Sequence, residues 1–292
     1  MVKIIARGLF LLLIYLPKIL PYTLMKGIIA LFSFIASQLL SRYIEIAKIN
    51  FHLIFKKSVH KKEIKKHIQQ IYKFFGNQAI ELLYYMYNKY PYGKLVESIE
   101  GLNHLQEAHK QNKGIILISA HIGNFTHISL ILNELGFPDN SMIMRATKDK
   151  FIENRLSIMR RNMGIAWFNE SYSKKNTLML ARFVKNEKGI LILLTDQRHQ
   201  KGTPLEFFSN LKKTPLGAAS LSMLTKAPIL PFFAIRTPSG RSHCVIKDPI
   251  YLDTSLAYDE SVVSISNKIN KILETQILQH FDQWLCLNRW WR

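Results

Sequence analysis

The sequence predicts an α/β fold: a mostly parallel sheet flanked by helices, with an apolar helical segment ahead of it. Three observations carry that prediction. From residue 98 onward, short apolar runs alternate with segments whose apolar residues recur at helical spacing. Residues 42–90 keep the helical spacing throughout. The first forty residues are the most apolar part of the chain. These shifts divide it into a membrane anchor at 1–41, a helical lead-in at 42–97 that belongs to the main domain, and an α/β domain at 98–292.

The amino terminus opens with Lys3 and Arg7, followed by apolar residues from Gly8 to Leu16. Pro17 and Lys18 interrupt this run, Lys26 interrupts again, and Gly27 to Ser41 is uncharged over 15 residues. A plain transmembrane helix needs about 20 apolar residues, so neither piece suffices alone. A secretory signal also begins basic and then apolar, but here there is no A-x-A-like cleavage site and the apolar character continues past Pro17. The reading is an uncleaved anchor, either a kinked helix or helical hairpin lying in one leaflet or a single span with the body on the basic, cytoplasmic side. Lys18 and Lys26 would then snorkel to the headgroups.

In the lead-in, Ile44, Ala47, Phe51 and Ile54 fall on one helical face, as do Ile64, Ile68, Ile71 and Phe75. Tyr84, Tyr85, Tyr87, Tyr90 and Tyr92 then crowd together, which suits either a membrane interface or packing beneath a loop. Ile115 to Ser119 is a continuous apolar run and reads as a buried strand, followed by a helix from Asn124 to Leu135 with Asn124 as its cap. Ser141 to Met144 is a second strand, Asp149 to Met163 a basic helix and Thr177 to Val184 another helix. The strand Ile190 to Leu194 leads into a polar loop, and Pro215 to Leu224 is a helix with proline in its first turn. Ile229 to Ile235 and His243 to Ile246 are the last strands, and Ser261 to Phe281 is an amphipathic helix.

Charge narrows the partners. Lysine and arginine number 40 against 20 acidic residues, a formal charge of +20. The excess points to an anionic partner, either a membrane surface or a phosphorylated substrate. Nucleic acid is disfavoured, because no recognition motif is present and the apolar start would be unexplained. The two cysteines, Cys244 and Cys286, form no metal-ligand spacing and no disulfide framework.

Function in such sheets collects beyond the carboxyl ends of the strands. Three segments lie there. His121 stands where the first strand stops, before Gly123 and Asn124, and a histidine so placed can serve as a general base. Asp196 and Gln197 directly follow the strand that ends at Leu194. Arg145 precedes the basic helix that carries Arg155, Arg160 and Arg161, and guanidinium groups suit phosphate or carboxylate.

Taken in order, these pieces resemble one family. Ile99-Glu100-Gly101-Leu102, then Gly114 to Asn124 around His121, Met144-Arg145 with Asn154-Arg155, Thr195-Asp196-Gln197, Pro204 to Phe208, Thr214-Pro215-Leu216-Gly217, Ala227-Pro228-Ile229-Leu230-Pro231 and Gln283-Trp284-Leu285 are similar to segments of the lauroyl/myristoyl (late) acyltransferases of lipid A biosynthesis, themselves lysophospholipid-acyltransferase-like. The resemblance implies a glycerolipid-acyltransferase-like α/β fold with an N-terminal membrane helix. It implies a bacterial inner-membrane protein of lipopolysaccharide biosynthesis whose active domain is on the cytoplasmic side. It further implies transfer of a fatty acyl chain from an acyl-carrier-protein thioester to a hydroxyl of a lipid A precursor or related glycolipid, with no metal or organic cofactor. His121 would be the catalytic base, and Asn124, Arg145, Arg160, Asp196 and Gln197 would bind substrate. The family's signature places an acid five positions after the histidine, and this chain has Thr126 there. Asp196 is then a candidate source of the missing charge. The alternative is a non-catalytic relative that binds lipid or acyl-carrier protein.

Overall fold

The computed structural model describes residues 2–39, 41–57, 60–171, 173–252 and 256–291. Residues 1, 40, 58–59, 172, 253–255 and 292 of the three expected segments lie outside the described residues. The chain opens with four helices, α1 (Val2–Ile19), α2 (Tyr22–Leu39), α3 (Ser41–Phe55) and α4 (Lys61–Met86). Then come β1 (Val96–Glu100), α5 (Leu102–Lys110), β2 (Ile115–Ser119), α6 (Ile128–Glu134), β3 (Asn140–Met144), α7 (Lys150–Asn162), β4 (Trp167–Asn169), α8 (Lys174–Lys185) and β5 (Ile190–Leu194). A hairpin of β6 (Thr203–Phe207) and β7 (Asn210–Thr214) precedes α9 (Gly217–Thr225), β8 (Ile229–Arg236), β9 (Ser242–Ile246) and α10 (Tyr258–Gln279).

Seven strands form one sheet in the order β1-β9-β8-β2-β5-β3-β4. All neighbours are parallel except β8 and β9. The fold is therefore the expected mixed α/β type, mostly parallel and flanked by helices. Both faces of the sheet are covered, which explains the unbroken apolar runs of its central strands. In β2, Ile116 and Ile118 enter the core shared with α4, α9 and α10, while Ile115 and Leu117 enter the core on the opposite face with α5 and α6.

At the amino terminus the helix continues through Pro17 and breaks instead at Leu20–Pro21. Among the described residues no single helix is long and apolar enough to cross a membrane, although Tyr22–Gln38 and Tyr43–Phe55 would suffice together and are bent by 83°. The tyrosine cluster packs as fasteners: the Tyr84 hydroxyl donates to the Leu20 carbonyl at 2.6 Å and that of Tyr87 to the Ile14 carbonyl at 3.1 Å. Lys18 lies over the rings of Tyr15 and Tyr87, and Lys26 over that of Tyr22.

Three local expectations differ from the structure; one is α9, which begins at Gly217 with Leu216 as its cap, so that Pro215 stands ahead of the helix and not in its first turn. A single turn of tighter helix, Phe125–His127, comes before α6, and the Asn124 side chain does not cap it. That amide instead reaches the β8–β9 turn, so the helix starts later than its cap-like residue suggests. The supposed polar loop before α9 contains the β6–β7 hairpin. Its two turn residues, Phe208 and Ser209, have φ of 51° and 56°, the conformation a two-residue hairpin requires but one these residue types seldom signal.

Candidate active site

Strand register sets the site. Ser119 of β2 is paired with Leu194 of β5, so His121 and Asp196 each lie two residues past the same rung of the ladder. Their side chains meet: His121 Nδ1 and Asp196 Oδ1 are 2.8 Å apart. The other oxygen of Asp196 accepts from the indole Nε1 of Trp284 at 2.9 Å. His121 keeps 20% of its side chain exposed and Asp196 only 1%, so the ring faces outward and the carboxylate stands behind it. Burial alone would raise the Asp196 pKa, but His121, the Trp284 hydrogen bond and nearby Lys212 together hold it below the usual carboxylate value. An ionised Asp196 fixes the Nδ1–H tautomer and leaves Nε2 free to take a proton.

The backbone around this pair is tightly constrained. Gly123 has φ of +58°, and a Cβ there would lie 2.2 Å from the Ala234 carbonyl oxygen, so the chain passes β8 only as glycine. After α10 the chain returns beside His121: Leu285 N–H donates to the His121 carbonyl at 2.9 Å, and Gly123 N–H to that of Gln283 at 3.1 Å. This return strand carries Trp284 to Asp196. Phe125 contacts the imidazole edge-on at 4.9 Å.

Thr126 faces elsewhere. Its hydroxyl donates to Gln78 Oε1 at 2.9 Å and lies 3.1 Å from His127 Nδ1. His127 is buried, and desolvation pushes its pKa down to about 3, so it stays neutral. The charge beside His121 thus comes from β5 and not from the residue five positions on.

The remaining expected residues divide. Gln197 Nε2 lies 3.3 and 3.4 Å from the two ring nitrogens of His121, at the exposed side of the pair. Asp196 has both oxygens occupied and lies behind the histidine, which leaves it to orient the ring and not to contact substrate. Asn124 is 1% exposed; its amide donates to Ser242 Oγ at 2.9 Å and accepts from Arg236 at 3.1 Å, so it braces the turn from within. Arg145 is at the carboxyl end of β3, on the same edge as His121, with 77% of its side chain exposed and its Nε donating to Glu170 at 2.7 Å. Arg160 is turned inward, bonded to Glu153 at 2.7 Å and stacked on Trp167 with its guanidinium 4.4 Å from the ring centroid. It ties α7 to β4. Trp284 and Lys212 also border the pair. Neither spacing nor composition singles them out, because Trp284 meets Asp196 across 88 residues of chain. Among the described residues no group of three or more His, Cys, Asp or Glu side chains could hold a metal ion.

Comparison with known proteins points to one family. The sequence profile described as bacterial lipid A biosynthesis acyltransferase matches residues 3–292. A protein named lipid A biosynthesis acyltransferase from Haemophilus influenzae is 25% identical over 135 residues, which is 46% of this chain and 41% of that protein's length.

Proposed function

This chain belongs to the bacterial lipid A biosynthesis acyltransferases, and from that premise we propose that it transfers a fatty acyl chain from an acyl-carrier-protein thioester to a hydroxyl of a lipid A precursor or related glycolipid. The observation that carries the reading is the relay from Trp284 through Asp196 to His121 at the carboxyl edge of the sheet. Nε2 of His121 removes the proton from the acceptor hydroxyl as the oxygen attacks the thioester carbonyl carbon. The C–O bond forms, the C–S bond breaks, and the carrier thiolate leaves with the proton returned by the imidazolium. The thioester is already activated, so the reaction calls for no further cofactor. Gln197 beside His121 offers an amide, and Arg145 at the carboxyl end of β3 a guanidinium, groups that suit the sugar and phosphate of such an acceptor.

The setting is proposed to be the cytoplasmic face of the bacterial inner membrane. Ile4, Leu9, Leu12 and Ile19 of α1 and Leu31, Phe32 and Phe34 of α2 are exposed, an apolar surface that supports insertion into one leaflet. The +20 formal charge favours anionic lipid and an acidic carrier protein. The second reading, a non-catalytic relative that binds lipid or acyl-carrier protein, is favoured by one observation alone, Thr126 at the acid's place. The deciding assay is transfer from lauroyl- and myristoyl-acyl-carrier protein to a lipid A precursor. Wild type active and His121→Ala inactive is the expected result; equal background rates for both would leave the binding relative.

A further inference from the structure

Strand β7 points a lysine into the protein and a leucine out of it. Leu211 is 68% exposed, and the next residue, Lys212, is 0% exposed. A slip of one residue would exchange them, yet the two-residue turn at Phe208–Ser209 and the pairing of Leu205 with Lys212 hold the register. Burying an amine is costly unless it is engaged. This one is engaged beneath the active site: Nζ lies 3.3 Å from the Asp196 carbonyl oxygen, 3.5 Å from that of Thr195 and 3.7 Å from the Phe207 ring centroid. Two carboxylates attract it electrostatically without a direct ion pair, Asp196 from the end of β5 and Glu274 from α10. Glu274 is already occupied, accepting from Phe208 N–H at 2.7 Å and lying 3.3 Å from Lys271 Nζ. Asp196 also has both carboxylate oxygens occupied, but Lys212 holds its main-chain carbonyl as well, so the two residues are joined through the backbone and by charge.

We propose that Lys212 is a positioning residue for the His121–Asp196 pair: it holds the backbone of Thr195 and Asp196 from beneath and supplies the buried positive charge that balances the Asp196 carboxylate. The inference rests on the acyltransferase reading. Asp196 is a buried anion that bonds to His121 Nδ1 and accepts from the Trp284 N–H, and Lys212 adds a full positive charge nearby. Burial pushes Lys212 down to about 7, opposed by Asp196 and Glu274, so the balancing charge itself responds to pH in the neutral range. Without it the uncompensated carboxylate draws a proton onto the pair more readily, and the base is lost at a higher pH.

The test uses full-length protein in detergent, with lauroyl-acyl-carrier protein as donor and a lipid A precursor as acceptor. Lys212→Met keeps the length and removes charge and donor; Lys212→Gln removes charge and keeps a donor. In both, the acid limb of kcat/KM should move up by about one pH unit. In Lys212→Met, kcat should fall about tenfold with KM unchanged, and Lys212→Gln should recover part of kcat without restoring the limb. A purely packing role would leave the limb in place. An unmoved limb in either folded variant overturns the proposal, as does failure of both to fold, since Lys212 is then a folding residue. His121→Ala, assayed in parallel, separates the two levels. If it transfers like wild type, the catalytic reading falls and the role of Lys212 falls with it; if it is inactive while the Lys212 limb stays fixed, only the Lys212 role falls.

Discussion

Asp196 and Glu81 are both buried carboxylates; Asp196 bonds directly to the segment His121–Asn124, and Glu81 reaches it through Arg236. Glu81 is paired with Arg236 through two bonds of 2.6 and 2.8 Å, with Tyr22 and Tyr92 completing its shell, and Arg236 reaches Asn124. Asp196 is paired with a histidine and a tryptophan. The desolvation problem is the same, but the partners differ in kind. Arginine does not titrate under working conditions, so the Glu81 pair is a fixed joint between α4, α2 and β8. Histidine can accept a proton and hand it on, and part of the His121 side chain remains exposed. The partner and its access to solvent, not the burial of the acid, distinguish a working pair from a structural one.

The largest expected effect follows directly. His121→Ala should abolish acyl transfer, and Asp196→Asn, which fixes the wrong tautomer, should lower kcat by about 10³- to 10⁴-fold while melting temperature barely changes. Glu81→Gln should do the reverse. It leaves Arg236 uncompensated and should destabilise the fold by about 3–5 kcal/mol in urea unfolding, with transfer per folded molecule nearly intact. A Glu81→Gln protein that melts normally but has lost transfer would erase the distinction between the two carboxylates.

A third expectation concerns pH and stability. Folded Lys212 has its pKa lowered to about 7 from an ordinary 10.5. Between those values the unfolded chain holds a proton that the folded chain does not, so unfolding free energy should rise with pH from about 7 toward 10. Lys212→Met should flatten that rise, and an unchanged slope in thermal melts across the window would show that other groups cause it. The smallest effect is expected at Thr126. Thr126→Glu places a carboxylate between Gln78 and the buried, neutral His127 and should lower transfer by about tenfold, whereas Thr126→Val should cost about 1 kcal/mol of stability through the lost hydrogen bond. A faster Thr126→Glu enzyme would restore the residue five positions after His121 as the orienting acid, against the partnership drawn here.

The parts legible in the sequence were those where one residue's surroundings decide its state. β2 and β5 announce themselves because both faces of each are covered and all of their positions but Ser119 carry apolar side chains. His121 and Asp196 each stand out as polar residues at the end of such a run. That they touch depends on strand order, with β5 beside β2 and β3 beyond it, which no local pattern encodes. The β6–β7 hairpin stayed hidden because its turn uses Phe208 and Ser209 in a conformation more typical of glycine or asparagine, and because Lys212 faces inward against its chemistry. The β1 strand, Val96–Glu100, carries too few apolar residues to register, since it lies at the sheet's edge.

The fasteners at the amino terminus have a consequence of another sort. Tyr84, Tyr87 and Lys89 grip carbonyl oxygens of Leu20, Ile14 and Lys18, all of them main-chain atoms. Bonds to main-chain atoms do not depend on which side chains the outward face of the helix bears, unlike the side-chain contacts of Lys18 and Arg7. If the proposed insertion into one leaflet holds, the exposed apolar residues of α1 could change to suit a bilayer of different thickness or composition while these main-chain bonds stay in place.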